Sequence, residues 1–284
     1  MNREHHRVDI GDLHLHVVTQ GPREGPPLLL LHGFPEFWEG WSRQIDPIAE
    51  AGIRVVVPDL RGYNLSDKPS AVGDYRMSVL IRDVLGLIDW IGGGPIALGG
   101  HDWGGLLALA VAQQHPDRLD RLIVLNAPFL GLMWRELRKP SQLMNSSYIL
   151  AFQLPWIAEW MIRERRFRRL RMAMYANSRK RPYTEAEIDR YVTSWEQPGA
   201  VNGMLGWYRA PARYPNDSSD LRRVTVPTKV IWGRRDWALG EALVEPTLAL
   251  CDDANLVWVD DAGHFVQHDA PDIVNREIIA FMER

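Results

Sequence analysis

The chain carries one cysteine, Cys251, among its 284 residues. An intrachain disulfide is therefore excluded, the fold must hold together by packing alone, and a reducing compartment is tolerated, so cytoplasmic residence is the expectation. Nowhere do about eighteen apolar residues follow one another, the length a spanning helix needs. The opening residues Met1 to Arg7 are polar, and neither a membrane span nor a signal peptide is read there. A large charge of one sign is missing too: the net charge of −3 gives no electrostatic case for nucleic acid or an acidic membrane as partner. No internal repeat or low-complexity tract occurs. What is present, 46% hydrophobic and 24% charged residues, is an ordinary globular composition, long enough for one large α/β domain with an inserted subdomain.

Short apolar runs bounded by glycine and proline alternate with longer helical patterns. Leu28 to Leu31, Val55 to Val57, Ile96 to Leu98, Ile123 to Leu125 and Val230 to Trp232 read as strands buried on both faces, which is the habit of a parallel sheet. Between them Ser78 to Ile91 and Gly104 to Gln114 space apolar residues at helical period, and right-handed crossovers put such helices on both faces. Val8 to Val18 alternates around Gly11-Asp12, predicting a two-stranded antiparallel edge. From Pro140 to Asn216 the chain becomes Arg- and Trp-rich and helical, and strand patterning resumes at Val226. The expected organisation is a core over 1–139, a helical cap over 140–216 and the rest of the core over 217–284. Within the cap, the basic run Arg163 to Arg171 reads either as an anion-binding patch or as a solvated face with Phe167 and Leu170 turned inward; spacing favours the second.

Gly100-His101-Asp102-Trp103-Gly104-Gly105 follows an apolar strand and opens a helix, the form of a nucleophile elbow. There a sharp turn lifts one side chain to the carboxyl edge of the sheet, glycines relieve crowding, and the helix N-terminus supplies positive potential. Asp102 stands where acyl hydrolases place serine. A carboxylate is ionised at neutral pH without a base, and its attack on an sp³ carbon gives an ester that water can cleave, where serine would give an ether. A helix cap is the alternative role for Asp102. Asp236 follows the run Lys229 to Trp232, and His264 follows Asn255 to Val259. Singly each could be a cap or a core histidine; jointly, after strands and in the order nucleophile, acid, histidine, they converge where open α/β sheets place active groups. His32-Gly33-Phe34-Pro35 follows its own strand, so the backbone N–H groups of Phe34 and Trp103 can form an oxyanion hole, and a cis bond before Pro35 would fix that turn.

These motifs, HGFPEFW, DLRGYNLSDKP, GHDWGG and AGHFVQHDAP, resemble those of the epoxide hydrolases of the α/β-hydrolase superfamily over nearly the whole chain. The elbow, acid and histidine also resemble those of haloalkane and fluoroacetate dehalogenases. The cap carries Asn145-Ser146-Ser147-Tyr148 before Phe152-Gln153-Leu154-Pro155, and later Trp207-Tyr208-Arg209. The resemblance assigns Tyr148 and Tyr208 as the family's two ring-opening tyrosines, suitable phenol donors to an alkoxide; packing against the cap core is their other reading. Where the family has a small residue after Arg61-Gly62-Tyr63, this chain has Asn64, a residue that tolerates left-handed backbone.

The expected reaction is attack of Asp102 on an epoxide carbon, with Tyr148 and Tyr208 at the oxygen. Hydrolysis of the ester follows by water that His264, oriented by Asp236, deprotonates. No metal or organic cofactor is expected, and the partners are a small apolar epoxide and water. Phe34, Trp103, Phe152, Trp156 and Trp207 are expected to contact substrate, with Trp134 and Trp160 as further candidates that could equally be cap core. Dehalogenation of a haloalkane or haloacid by the same aspartate, or ligand binding without turnover, are the alternatives. A monomer or a cap-mediated homodimer is compatible with the resemblance.

Overall fold

The structure is a computed structural model and describes residues 3–137, 147–178, 180, 183–217 and 221–284. Eight strands form one sheet: β1 (Glu4–Asp9), β2 (His14–Gln20), β3 (Pro27–Leu31), β4 (Arg54–Pro58), β5 (Ile96–His101), β6 (Leu119–Leu125), β7 (Thr228–Gly233) and β8 (Ala254–Val259). Their order is β1-β2-β4-β3-β5-β6-β7-β8. The β1–β2 pair is the antiparallel edge expected from Gly11-Asp12, β2 meets β4 antiparallel, and every later pairing is parallel.

Strand alternation explains the two cores. Successive side chains point to opposite faces, so Leu29, Leu31, Val56, Leu98, Val124 and Val230 join one core, while Leu28, Leu30, Val55, Val57, Ala97, Ile123 and Ile231 join the other. Each fully buried leucine contributes roughly 2 kcal/mol from area removed from water. Helices α1 (Ser42–Glu50) and α11 (Pro271–Met282) cover the second face, and α2 (Met77–Ile91) and α3 (Trp103–Gln114) the first. α3 can start directly on the sheet because Gly104 has no side chain: a Cβ there would lie 2.3 Å from the Leu31 carbonyl oxygen.

Between β6 and β7 the described residues contain helices and no strand: α4 (Leu130–Leu137), α5 (Ser147–Phe152), α6 (Ile157–Asn177), α7 (Glu185–Glu196) and α8 (Ala200–Arg213). The boundary expected at residue 140 lies outside the described residues. Thr184 starts α7 with a reciprocal cap: its hydroxyl accepts the Glu187 N–H at 3.2 Å, and the Glu187 carboxylate accepts the Thr184 N–H at 2.7 Å. α6 is broken at Glu164, and Arg165, Arg166 and Phe167 all have left-handed backbone (φ 48°, 54° and 60°). That conformation costs roughly 1–2 kcal/mol per non-glycine residue. The break turns Phe167 inward against Trp195 and leaves Arg163, Arg165, Arg166, Arg168 and Arg169 exposed, with Phe167 and Leu170 buried as their spacing predicted.

Short helices α9 (Val244–Leu248) and α10 (Val266–Asp269) complete the second part of the sheet domain. Among the described residues no helix is long and apolar enough to cross a membrane.

Candidate active site

Asp102 sits at the turn from β5 into α3 with φ 51° and ψ −122°, a backbone strain of about 1–3 kcal/mol that the packed surroundings must hold. The turn is possible because both neighbouring walls lack side chains. A Cβ on Gly33 would lie 2.4 Å from the Asp102 Cβ, and one on Gly100 would lie 2.3 Å from the Gly104 carbonyl oxygen. The bond from Phe34 to Pro35 is cis, and His32 locks the same loop. Its Nδ1 donates to the Gly33 carbonyl at 3.0 Å while its Nε2 accepts the Leu60 N–H at 3.0 Å. The loop thereby aims the Phe34 N–H at Oδ1 of Asp102, 2.8 Å away.

The other carboxylate oxygen, Oδ2, lies 3.4 Å from Nε2 of His264, and Nδ1 of His264 lies 2.8 Å from Oδ2 of Asp236. His264 follows β8 and Asp236 follows β7, so three strand ends supply one row of groups. Asp236 has its remaining valences filled: Oδ1 accepts the N–H groups of Ala238 and Leu239 at 2.8 and 2.9 Å, and Oδ2 also accepts from Asn126 at 2.7 Å.

Burial opposes charge on Asp102, yet the hydrogen bond and positive charge of His264 outweigh it and hold the carboxyl below its ordinary pKa. For His264, burial would lower the pKa, but the charges of Asp236 and Asp102 raise it to about 10. The resting site is thus an imidazolium between two carboxylates. Beneath it, His101 Nε2 donates to the His264 carbonyl at 2.9 Å, and Nδ1 of His101 lies 3.3 Å from the buried Glu36. Burial would raise the Glu36 pKa, but His268 and His101 hold it well below the usual carboxylate range.

Above Asp102 opens a cavity of about 460 Å³, within the range of small-molecule sites. Phe34, Trp103, Leu106, Ile149, Phe152 and Tyr208 belong to its mainly apolar wall, and Asp102 and His264 to its floor.

Residues 26–271 match the family described as alpha/beta hydrolase fold. The chain belongs to that family. This hydrolase is 40% identical over 277 residues to the AB hydrolase superfamily protein YfhM of Bacillus subtilis, covering 97% of this chain and 96% of the relative. It is 35% identical to human Epoxide hydrolase 4, covering 98% of this chain and 78% of that one. Among solved structures it resembles a metagenomic epoxide hydrolase from a hot environment, with TM-score 0.85, 34% identity and 99% of each chain covered. It also resembles the inhibitor complex of Bacillus megaterium epoxide hydrolase, with TM-score 0.88, 28% identity, and 98% and 100% of the two chains covered.

In this hydrolase the structure brings together Asp102, Asp236, His264, Tyr208, Phe34, Trp103 and Phe152. Tyr208 contributes a wall residue whose ring meets Phe34, Trp103 and Phe152, each at 5.1 Å between centroids. The side chain of Tyr148 lies outside what the structure describes. Two expected contacts are corrected. Trp156 is 85% exposed and off the cavity wall, because it occupies the left-handed turn (φ 62°) that starts α6 and its side chain leaves the surface. Trp207 is buried behind the wall. One position before Tyr208 on α8, it faces about 100° away around the helix, packs on Tyr63 and Trp103, and donates its indole N–H to the Arg61 carbonyl at 3.0 Å. Trp160 is exposed, and Trp134 is half-buried against the core.

Asn126 was not foreseen. At the end of β6 in left-handed backbone (φ 42°), its amide donates to Asp236 and its oxygen accepts the Gly233 N–H at 3.0 Å. Its position directly after a buried strand is the signal that could have identified it. Glu36 and His101 were also missed as a pair, because 64 intervening residues hide a contact that the β3–β5 pairing creates. Asn64 is in left-handed backbone (φ 37°), which asparagine tolerates, and donates to Asp59 at 2.8 Å.

Proposed function

We propose that this hydrolase opens epoxides to vicinal diols through a covalent ester on Asp102. The observation that carries the reading is the split use of the Asp102 carboxylate. Oδ1 is already held by a backbone N–H, as the oxyanion of a later tetrahedral intermediate would be, leaving Oδ2 as the attacking atom beside His264. The names of the curated and structural relatives support an epoxide as the electrophile.

In the proposed first step Oδ2 forms a bond to one epoxide carbon, the carbon–oxygen bond of the ring breaks, and the departing oxygen takes a proton from Tyr208, with Tyr148 as its proposed companion. Esterification removes one of the two anions that hold His264 protonated, so the imidazolium acidifies and returns a proton to the tyrosinate. Neutral His264, oriented by Asp236, then removes a proton from water as the oxygen attacks Cγ of Asp102. Negative charge collects on Oδ1 against the Phe34 N–H and, in this reading, that of Trp103. Collapse breaks the Cγ–Oδ2 bond, and His264 protonates the leaving oxygen to release the diol. The helices between β6 and β7 act in this proposal as the cap that closes the apolar pocket. A dehalogenase reading finds less support: it would want a side-chain N–H donor near position 34, and Phe34 has none.

The deciding experiment is a single turnover in ¹⁸O-water. An unlabelled diol, with label appearing in Asp102, is the expected outcome, because the first diol oxygen comes from Oδ2; a labelled diol from wild-type enzyme would mean direct attack by water and sink the ester mechanism. Styrene oxide, an aliphatic epoxide, a haloalkane and fluoroacetate run in parallel with Asp102→Ala distinguish the electrophile: diol lost in the variant supports the epoxide, whereas halide without diol selects dehalogenation.

A further inference from the structure

Leu150, Leu154, Trp156, Ile157 and Trp160 are 60%, 49%, 85%, 51% and 64% exposed. They run from α5 through the turn after it into the first turn of α6, and none belongs to the cavity wall. A single exposed apolar residue is unremarkable, but five in one short segment, two of them tryptophans, mark an interaction surface. The turn is a built platform. Buried Arg209 of α8 reaches into it, donating to the Phe152 carbonyl at 2.8 Å, to Glu159 at 2.7 Å and to the Leu154 carbonyl at 3.4 Å. Trp156 is also held in left-handed backbone, where glycine or asparagine would fit with less strain, although its side chain gains almost no burial in the fold. The fold therefore keeps a strained, water-exposed indole that contributes little to its own packing.

The charge beside this surface is mostly positive, with Asp189 of α7, among the described residues, the one acid from a neighbouring helix near the arginines, 3.9 Å from Arg166. Between Ile157 and Asn177 the sequence has six arginines (163, 165, 166, 168, 169 and 171) and two acids, Glu159 and Glu164. Glu159 is taken by Arg209, and Glu164 lies no closer than 3.5 Å to Arg165 or Arg169. Whole-chain charge averages this cluster away. Exposed indoles and aliphatics followed by arginines along one segment are the composition of a helix lying in the headgroup region of an anionic bilayer. Arg169 and Met172 of the same helix line the cavity rim, so such docking turns the pocket mouth toward the bilayer, where apolar substrates concentrate.

We propose that the α5–α6 surface docks the protein peripherally, without a spanning segment, on anionic lipid bilayers. Co-sedimentation with phosphatidylcholine vesicles, with and without phosphatidylserine, tests it on the intact protein. Binding to the phosphatidylserine vesicles that weakens with salt is expected. Trp156→Gly with Trp160→Ser should reduce partitioning at least about tenfold with no loss of melting temperature, since glycine relieves the strain at position 156. Arg165→Asn with Arg166→Asn should reduce it by roughly fivefold per arginine. Turnover of a water-soluble epoxide should be unchanged in both variants, but the vesicle readout stands whether or not epoxides are the substrate. No binding, or equal binding to neutral vesicles, overturns the proposal. So does a concentration-dependent dimer that Trp156→Gly disperses without any vesicle binding, which would make the face a contact between two copies of the chain.

Discussion

Asp102 must stay ionised although it is buried, and must sit in a backbone conformation that aspartate ordinarily avoids. Both costs are offset by neighbours: His264 and the Phe34 N–H stabilise the charge, and Gly33, Gly100 and Gly104 leave room for the turn. The division of labour between the two steps gives separable predictions. His264→Gln should still be alkylated but not hydrolysed, so the protein mass should rise by that of the substrate and persist; an unmodified variant after incubation would deny the ester. Tyr208→Phe should slow alkylation by roughly a hundredfold, the lower range of general-acid contributions, while leaving decay of preformed ester nearly unchanged, as stopped-flow tryptophan fluorescence would resolve. At this scale Asp102, Asp236 and His264 were legible because each lies within five residues of the carboxyl end of a strand, where open α/β sheets gather active groups. Trp156 and Trp207 were not, because on helices a one-residue offset redirects a side chain by about 100°, and sequence does not say which way a helix in the insert is rotated.

Elements repeat the lesson. The strands were readable from apolar runs that the two cores consume on alternating positions, and α3 from its periodicity after the elbow. The break in α6 was not, since Glu164 to Phe167 are residues of ordinary helix propensity, yet they leave helical backbone as Phe167 packs on Trp195. α7 in turn clamps the loop that carries Phe34: Trp195 donates to the Pro35 carbonyl at 2.6 Å, and Tyr191 to Glu36 at 3.0 Å. The seat of α3 on β3 supplies a test of close packing. Gly104→Ala places a methyl against the Leu31 and His32 carbonyl oxygens at 2.3 and 2.5 Å, so unfolding in urea should show a loss of about 3 kcal/mol, as for other backbone clashes in cores. Gly240→Ala is the control. Its φ is −69° and no atom lies within 4 Å of the added methyl, so its stability should change by no more than about 0.5 kcal/mol. Equal losses in both would mean that α3 can slide off β3.

On the scale of the whole molecule, the charges in the active site couple function to stability. His264 titrates near 6.5 when free and at about 10 in the fold, so its contribution is full below about pH 6.5 and disappears as pH rises through about 10. Asp102 is depressed from 3.8; its contribution is present above that value and disappears as pH falls through the lower folded value. Stability from this pair should therefore be greatest between roughly pH 4 and 6.5 and decline on the alkaline side well before the arginines titrate. Other groups titrate near pH 10, so the informative quantity is the difference between wild type and His264→Gln in urea unfolding free energy, followed from pH 6 to 10.5. That difference should shrink steadily with rising pH. Asp102→Asn should move the decline of the remaining protein toward lower pH, because it removes one of the two anions that hold the proton on His264. A wild-type-minus-His264→Gln difference that stays constant across the range would mean that His264 is neutral in the resting fold. The proposed acidification on esterification would then have no proton to release.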